Sequence, residues 1–91
     1  MNYVLPVLFL KEKNRYVAYT PALDLSTSGK TIAEAKKNFI EASSIFLQEI
    51  SRRGKLDEVL FSLGWQKKKK EWNPPVLVKQ GSERVPVPVL V

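Results

Sequence analysis

The sequence predicts an α+β domain in which a three-stranded antiparallel sheet packs on one long helix. Three observations carry this. Short apolar or alternating runs fill the first 28 residues. A strongly periodic helical segment follows, with a start signal at Thr31 and a stop signal at Gly54. A short second helix and a C-terminal strand or hairpin complete the expected order. At 91 residues the chain is one domain, because domains run to about 100–150 residues. A chain this short buries only about 60–65% of its unfolded surface, so association of copies, as a dimer or higher homo-oligomer, is expected to add stability.

Asn2 to Leu10 is a near-continuous apolar run and reads as a strand buried on both faces, interrupted by Pro6. Lys11 to Arg15 is a polar turn with Asn14 as its residue of positive φ, and Tyr16 to Thr20 is a second strand, so the pair forms a hairpin with a longer loop. Pro21 ends it. Leu23 to Ser28 alternates with a period of two and suits a third, half-buried strand. Gly29 and Lys30 turn the chain into the helix, where Thr31 and Glu34 form a capping box. Ile32, Ala35, Phe39, Ala42, Phe46 and Ile50 define one apolar face, which Ile40 and Leu47 widen. Arg52 and Arg53 favour the C-terminal end of the helix dipole, and Gly54 caps it. A second helix from about Leu56 to Leu63 closes at Gly64.

Residues 1–66 thus hold the β-β-β-α-α unit. Residues 67–91 add a basic linker and a Val/Pro-rich strand segment of the same domain. The four consecutive lysines, Lys67 to Lys70, repel one another and favour an extended, solvated stretch. Val76 to Lys79 and Arg84 to Val89 are candidate strands about a turn at Gly81. Pro86 and Pro88 blank one edge of the latter, while Val85, Val87 and Val89 keep the other. An apolar tail of this kind is expected to be docked, on its own domain or on a neighbouring subunit.

Composition excludes several chemistries. Cysteine and histidine are both absent, which removes disulfides, thiolate nucleophiles, the commonest general base and the commonest zinc ligand. A ribonuclease H-type two-metal centre needs several converging carboxylates, and the expected strands offer only Asp24. No catalytic residue, metal site or cofactor is therefore expected, and the chain reads as a binding protein rather than an enzyme. Met1 to Leu10 carries no basic leader and falls far short of the roughly 20 apolar residues of a membrane helix, so a cytoplasmic, membrane-free protein is expected. Net charge is +6, of which residues 51–91 hold nine basic against four acidic side chains.

The motif residues Tyr16-Val17-Ala18-Tyr19-Thr20-Pro21, then Gly29-Lys30-Thr31 with Glu34-Ala35, then Asn38 and Glu41-Ala42, resemble the HicB family over roughly residues 3–50. The resemblance implies a partly degraded ribonuclease H-like fold and an antitoxin of a toxin–antitoxin system, which binds and masks a small HicA-type, RNA-cleaving toxin. Tyr16, Tyr19 and Asp24 are the candidate partner-binding residues. Tyr16 and Tyr19, with Phe9, could instead stack bases, although strand aromatics more often fill a core. The basic half offers a second candidate: Lys67, Lys68, Lys69 and Lys70 clamping phosphates while Trp65 and Trp72 stack bases. Its bland counterpart, a solvated loop whose tryptophans pack on the domain, is favoured. A stand-alone oligomer with an unrelated ligand is the third reading.

Overall fold

A computed structural model describes residues 2–89. Met1, Leu90 and Val91, the extreme ends of the apolar N-terminal run and of the predicted tail segment, lie outside it. The elements follow the predicted order: β1 (Leu8–Glu12), β2 (Arg15–Thr20), β3 (Leu25–Gly29), α1 (Ile32–Arg52), α2 (Leu56–Ser62), β4 (Gln66–Lys68) and β5 (Glu71–Asn73). The first three strands form an antiparallel sheet in the order β1-β2-β3, and the last two form a separate hairpin.

The sheet begins later than the apolar run suggests. Leu8 pairs with Tyr19, and β2 stops one residue on at Thr20 because Pro21 starts a turn. Residues 2–7 therefore have no ladder partner, and β1 is an edge strand with Phe9 and Leu10 exposed, not a strand buried on both faces. The hairpin loop is the two residues Lys13 and Asn14, shorter than expected, and Lys13 rather than Asn14 takes positive φ (54°). Tight two-residue loops demand φ > 0 at a central position, whatever residue stands there. Leu23 and Asp24 belong to the turn before β3, with Asp24 at φ 49°. Gly29 ends β3 instead of turning the chain, and it is buried where α1 passes closest.

The helix is capped as the sequence predicts. The Thr31 hydroxyl accepts from the Glu34 N–H at 3.0 Å, and the Glu34 carboxylate accepts from the N–H of Lys30 at 3.3 Å, one residue before the cap. At the other end Gly54 sits at φ 68°, with Gly54 N–H on the Ser51 carbonyl (3.0 Å) and Lys55 N–H on that of Ile50 (2.8 Å). That is the paired 5→2 and 6→1 pattern of a Schellman ending. α2 ends the same way at Gly64, where Trp65 N–H reaches the Leu60 carbonyl at 3.0 Å. Leu60 and Trp65 are both buried, which supplies the apolar contact that accompanies the motif.

α1 packs chiefly on β3 and β2. Two cross-links fix it: the Thr27 hydroxyl donates to the Ala35 carbonyl (3.1 Å), and the Asn38 amide donates to that of Ser28 (2.9 Å). Two apolar clusters result, Ala18–Ala35–Phe39 under the sheet and Ala22–Leu23–Leu60–Trp65 at its end. The predicted helical face is wider than the sheet it meets. Ile32 and Ile40 are 51% and 58% exposed, and so lie outside the core.

Two C-terminal expectations are corrected. Lys67 to Lys70 are not an extended linker: Gln66–Lys68 pair with Glu71–Asn73, and Lys69 and Lys70 form the turn at φ 51° and 68°. Positive φ at both central residues marks a type I′ turn, which suits the twist of a tight hairpin. Residues 74–89 contain no regular structure, so the strands expected at Val76–Lys79 and Arg84–Val89 are absent. They pair with no strand of their own chain, and the valines of this tail stand exposed.

Candidate functional surfaces

The antiparallel register decides which side chains share a face. Opposite residues point the same way, and successive residues alternate. Phe9, Tyr16, Ala18, Leu25 and Thr27 face α1. Leu8, Leu10, Glu12, Arg15, Val17, Tyr19, Ser26 and Ser28 face outward. Tyr16 and Tyr19 are three residues apart on one strand, so they point to opposite faces and form no joint platform. Tyr16 packs against the Ala18–Ala35–Phe39 cluster, with the Lys11 ammonium 5.9 Å from its ring centre. Tyr19 donates its hydroxyl to Asp24 at 3.0 Å, so the structure joins two of the three partner-binding candidates and separates the third.

That bond raises the Tyr19 phenol above its ordinary pKa, because the hydrogen bond to Asp24, desolvation and the charge of Asp24 all favour the protonated ring. A raised folded pKa stabilises below the unfolded value and is lost as pH rises through the folded one. In an alkaline absorbance titration Asp24→Asn should let the Tyr19 phenol ionise at lower pH than it does in the wild type. A Tyr19 ionisation that Asp24→Asn leaves unmoved would refute the contact.

On the outward face Leu8, Leu10, Val17 and Tyr19 lie together across β1 and β2. None belongs to either core cluster, and Leu10 is 52% exposed. Glu12 stands at one end of this face, and the Tyr19–Asp24 pair at the other.

The inward side of β1 is equally uncovered. Between residues 2–9 and α1 runs a groove of about 980 Å³, walled by Val7, Phe9, Ile32, Phe39, Ile40 and Leu47 among others. Its floor includes Ser43, whose buried hydroxyl has no hydrogen-bond partner among the described residues. Sequence reasoning missed this groove. Its signal was present in Ile32 and Ile40, which broaden the helical face beyond what three strands can cover.

The basic cluster comes apart. Trp65 is buried, donates its indole N–H to the Ala22 carbonyl at 2.7 Å and meets the Tyr3 ring edge-on, so it cannot stack a base. Trp72 is half-buried and donates to Asp57 at 3.0 Å. Lys67 bonds the other oxygen of Asp57 at 3.3 Å and lies 5.5 Å from the centre of the Trp72 ring. These two donors, Trp72 first and Lys67 second, hold the Asp57 carboxyl below its ordinary range. Lys68, Lys69 and Lys70 are left exposed at the hairpin tip. Asp57 gave no sequence signal beyond an acidic residue in the first turn of a helix.

Among the described residues no three His, Cys, Asp or Glu side chains come together as a metal site, and no helix is long and apolar enough to cross a membrane. Comparison with protein-family models, with curated proteins and with solved structures returned no match.

Proposed function

We propose that this chain is a HicB-like, antitoxin-type protein-binding module that binds and masks a small HicA-type, RNA-cleaving toxin. The observation that carries the reading is the outward sheet face, where Leu8, Leu10, Val17 and Tyr19 form an apolar strip that no core cluster uses. Aromatic and aliphatic residues on a rigid sheet bind protein surfaces well, because little side-chain freedom is lost on contact. Asp24 at one end suits the basic groups that an RNA-cleaving protein needs, while Glu12 at the other end stands opposite Arg15. Of the residues behind the HicB resemblance, Tyr16 to Thr20 lie in β2, Thr31 and Glu34 cap α1, and Asn38 ties α1 to β3.

The test is affinity capture of the full chain from its own cells at low and high salt, with bound protein and nucleic acid both identified. The reading expects a small RNA-cleaving protein, retained at high salt and lost with Leu10→Asp. Capture that ignores Leu10→Asp would overturn it. One observation favours a second reading, nucleic-acid binding, since Lys68, Lys69 and Lys70 project together from the hairpin. Under that reading RNA is recovered at low salt only. Replacing the three lysines by serine then flattens the log–log salt dependence by about two to three units, at roughly 0.7–0.9 per phosphate contact.

A further inference from the structure

The groove under β1 and the exposed tail are two unsatisfied surfaces of one chain. Val76, Val78, Val85, Val87 and Val89 are 72–91% exposed. The radius of gyration is 15.9 Å, against about 12 Å for a compact chain of this length. Residues 74–89 leave the hairpin through Pro74 and Pro75, which stiffen the departure, and at roughly 3.3 Å per residue they can span about 50 Å. Contiguous exposed apolar segments and open strand edges invite a second chain.

The backbone pattern makes the fit specific. The two-residue loop makes Glu12–Arg15 a hydrogen-bonded pair, and alternation extends this to Leu10–Val17 and Leu8–Tyr19. The N–H and C=O groups of Phe9 and Lys11 therefore point to the open edge, and the side chains of both lie on the groove side. In the tail, Pro86 and Pro88 lack N–H groups, so only Val85, Val87 and Val89 offer complete pairing groups, all along one edge. In an antiparallel ladder, hydrogen-bonded residues stand opposite one another with side chains on the same face. Pairing these valines with Phe9 and Lys11 thus puts their side chains on the groove face of the sheet, beside Val7 and Phe9, which line the groove.

We propose that residues 85–89 of a second copy add antiparallel to β1 and fill the groove between β1 and α1, in a reciprocal exchange of tails. The prolines then face away from the sheet and prevent a third copy from extending it, so the assembly closes as a dimer. Reciprocity doubles every tail–groove contact, which helps a five-residue segment toward the about 1,200–2,000 Å² that a stable interface buries.

The chain has no cysteine, so introduced cysteines report cleanly. Lys11→Cys in one preparation is mixed with Val85→Cys, Val87→Cys or Val89→Cys in another, under mild oxidation. Opposed hydrogen-bonded residues have Cα atoms about 5.5 Å apart, which a disulfide spans. The expected result is a cross-linked heterodimer, formed fastest by one valine position, while Leu10→Cys fails because it faces outward. In parallel, Val87→Pro keeps the tail apolar but deletes two backbone donors per dimer. It should weaken self-association, measured by sedimentation, on the order of tenfold to a hundredfold. A wild-type monomer at all concentrations overturns the proposal. So does cross-linking only inside a Lys11→Cys/Val87→Cys chain, or preferential cross-linking through Leu10→Cys. None of these readouts requires the toxin, so they stand apart from the function proposed above.

Discussion

Trp65→Ala is expected to cost about 3–5 kcal/mol, the range for removing a large aromatic from a core. The core is small, and of its buried apolar residues Ala18, Ala22, Leu23, Ala35, Phe39, Leu60 and Trp65, three are alanines. Trp65 is the largest of the set. It contacts the N-terminal segment through Tyr3 and the turn before β3 through Ala22, and it closes α2 as the residue after Gly64. One side chain thus ties three segments of the chain into a single cluster. A chain of 91 residues has roughly 5–14 kcal/mol of stability in all, so the variant loses a large fraction of it and should unfold at a much lower urea concentration than wild type. Trp65→Phe separates packing from polarity. It keeps a ring and leaves the buried Ala22 carbonyl without its donor, at about 1–3 kcal/mol. Urea titration of the three proteins measures both steps, and an alanine variant within about 1 kcal/mol of wild type would contradict this account of the core.

The second large effect is Gly29→Ala. A Cβ there would lie 2.5 Å from the Ala35 nitrogen and 2.9 Å from the carbonyl carbon and Cβ of Glu34. Two of those atoms are helix backbone, so no side chain can swing aside. β3 and the first turn of α1 must separate, which strains the Thr27–Ala35 and Asn38–Ser28 bonds that hold them together. Overpacking costs about 1–3 kcal/mol where side chains can adjust, and the upper end or beyond is expected where only backbone can. Gly81→Ala is the control, because a Cβ there meets nothing within 4 Å, and it should stay within about 0.5 kcal/mol of wild type. Equal effects at both positions would mean that Gly29 acts through chain entropy and not through close approach.

What the sequence made legible was decided by how local its cause is. Both ends of α1 could be read because Thr31, Glu34 and Gly54 act within a turn of themselves. The start of β1 could not, because it depends on Pro21 ending the partner strand, outside any local window. The lysine hairpin was hidden for a related reason. Its turn has neither glycine nor asparagine, and like charges argue for extension. Attachment of Trp72 and Lys67 to Asp57 holds the strands nonetheless. The tail misled in the opposite direction, since alternating valines have strand periodicity yet pair with no strand of their own chain. Tyr16 and Tyr19 were a missed inference rather than a hidden one. Three positions along a strand always means opposite faces, and that parity alone would have divided the proposed aromatic platform. The groove under β1 needed the three-dimensional count of which strands the helix covers.

The proposed masking role is tested most directly by RNA cleavage in the presence of this chain. A ribonuclease recovered in the affinity capture is purified and assayed on a defined RNA, with increasing wild-type protein or Leu10→Asp. Masking through the outward sheet face predicts that cleavage stops near one chain per toxin, and that Leu10→Asp, still folded, leaves cleavage running. Cleavage that continues at excess wild-type protein, or that both proteins suppress equally, would contradict it.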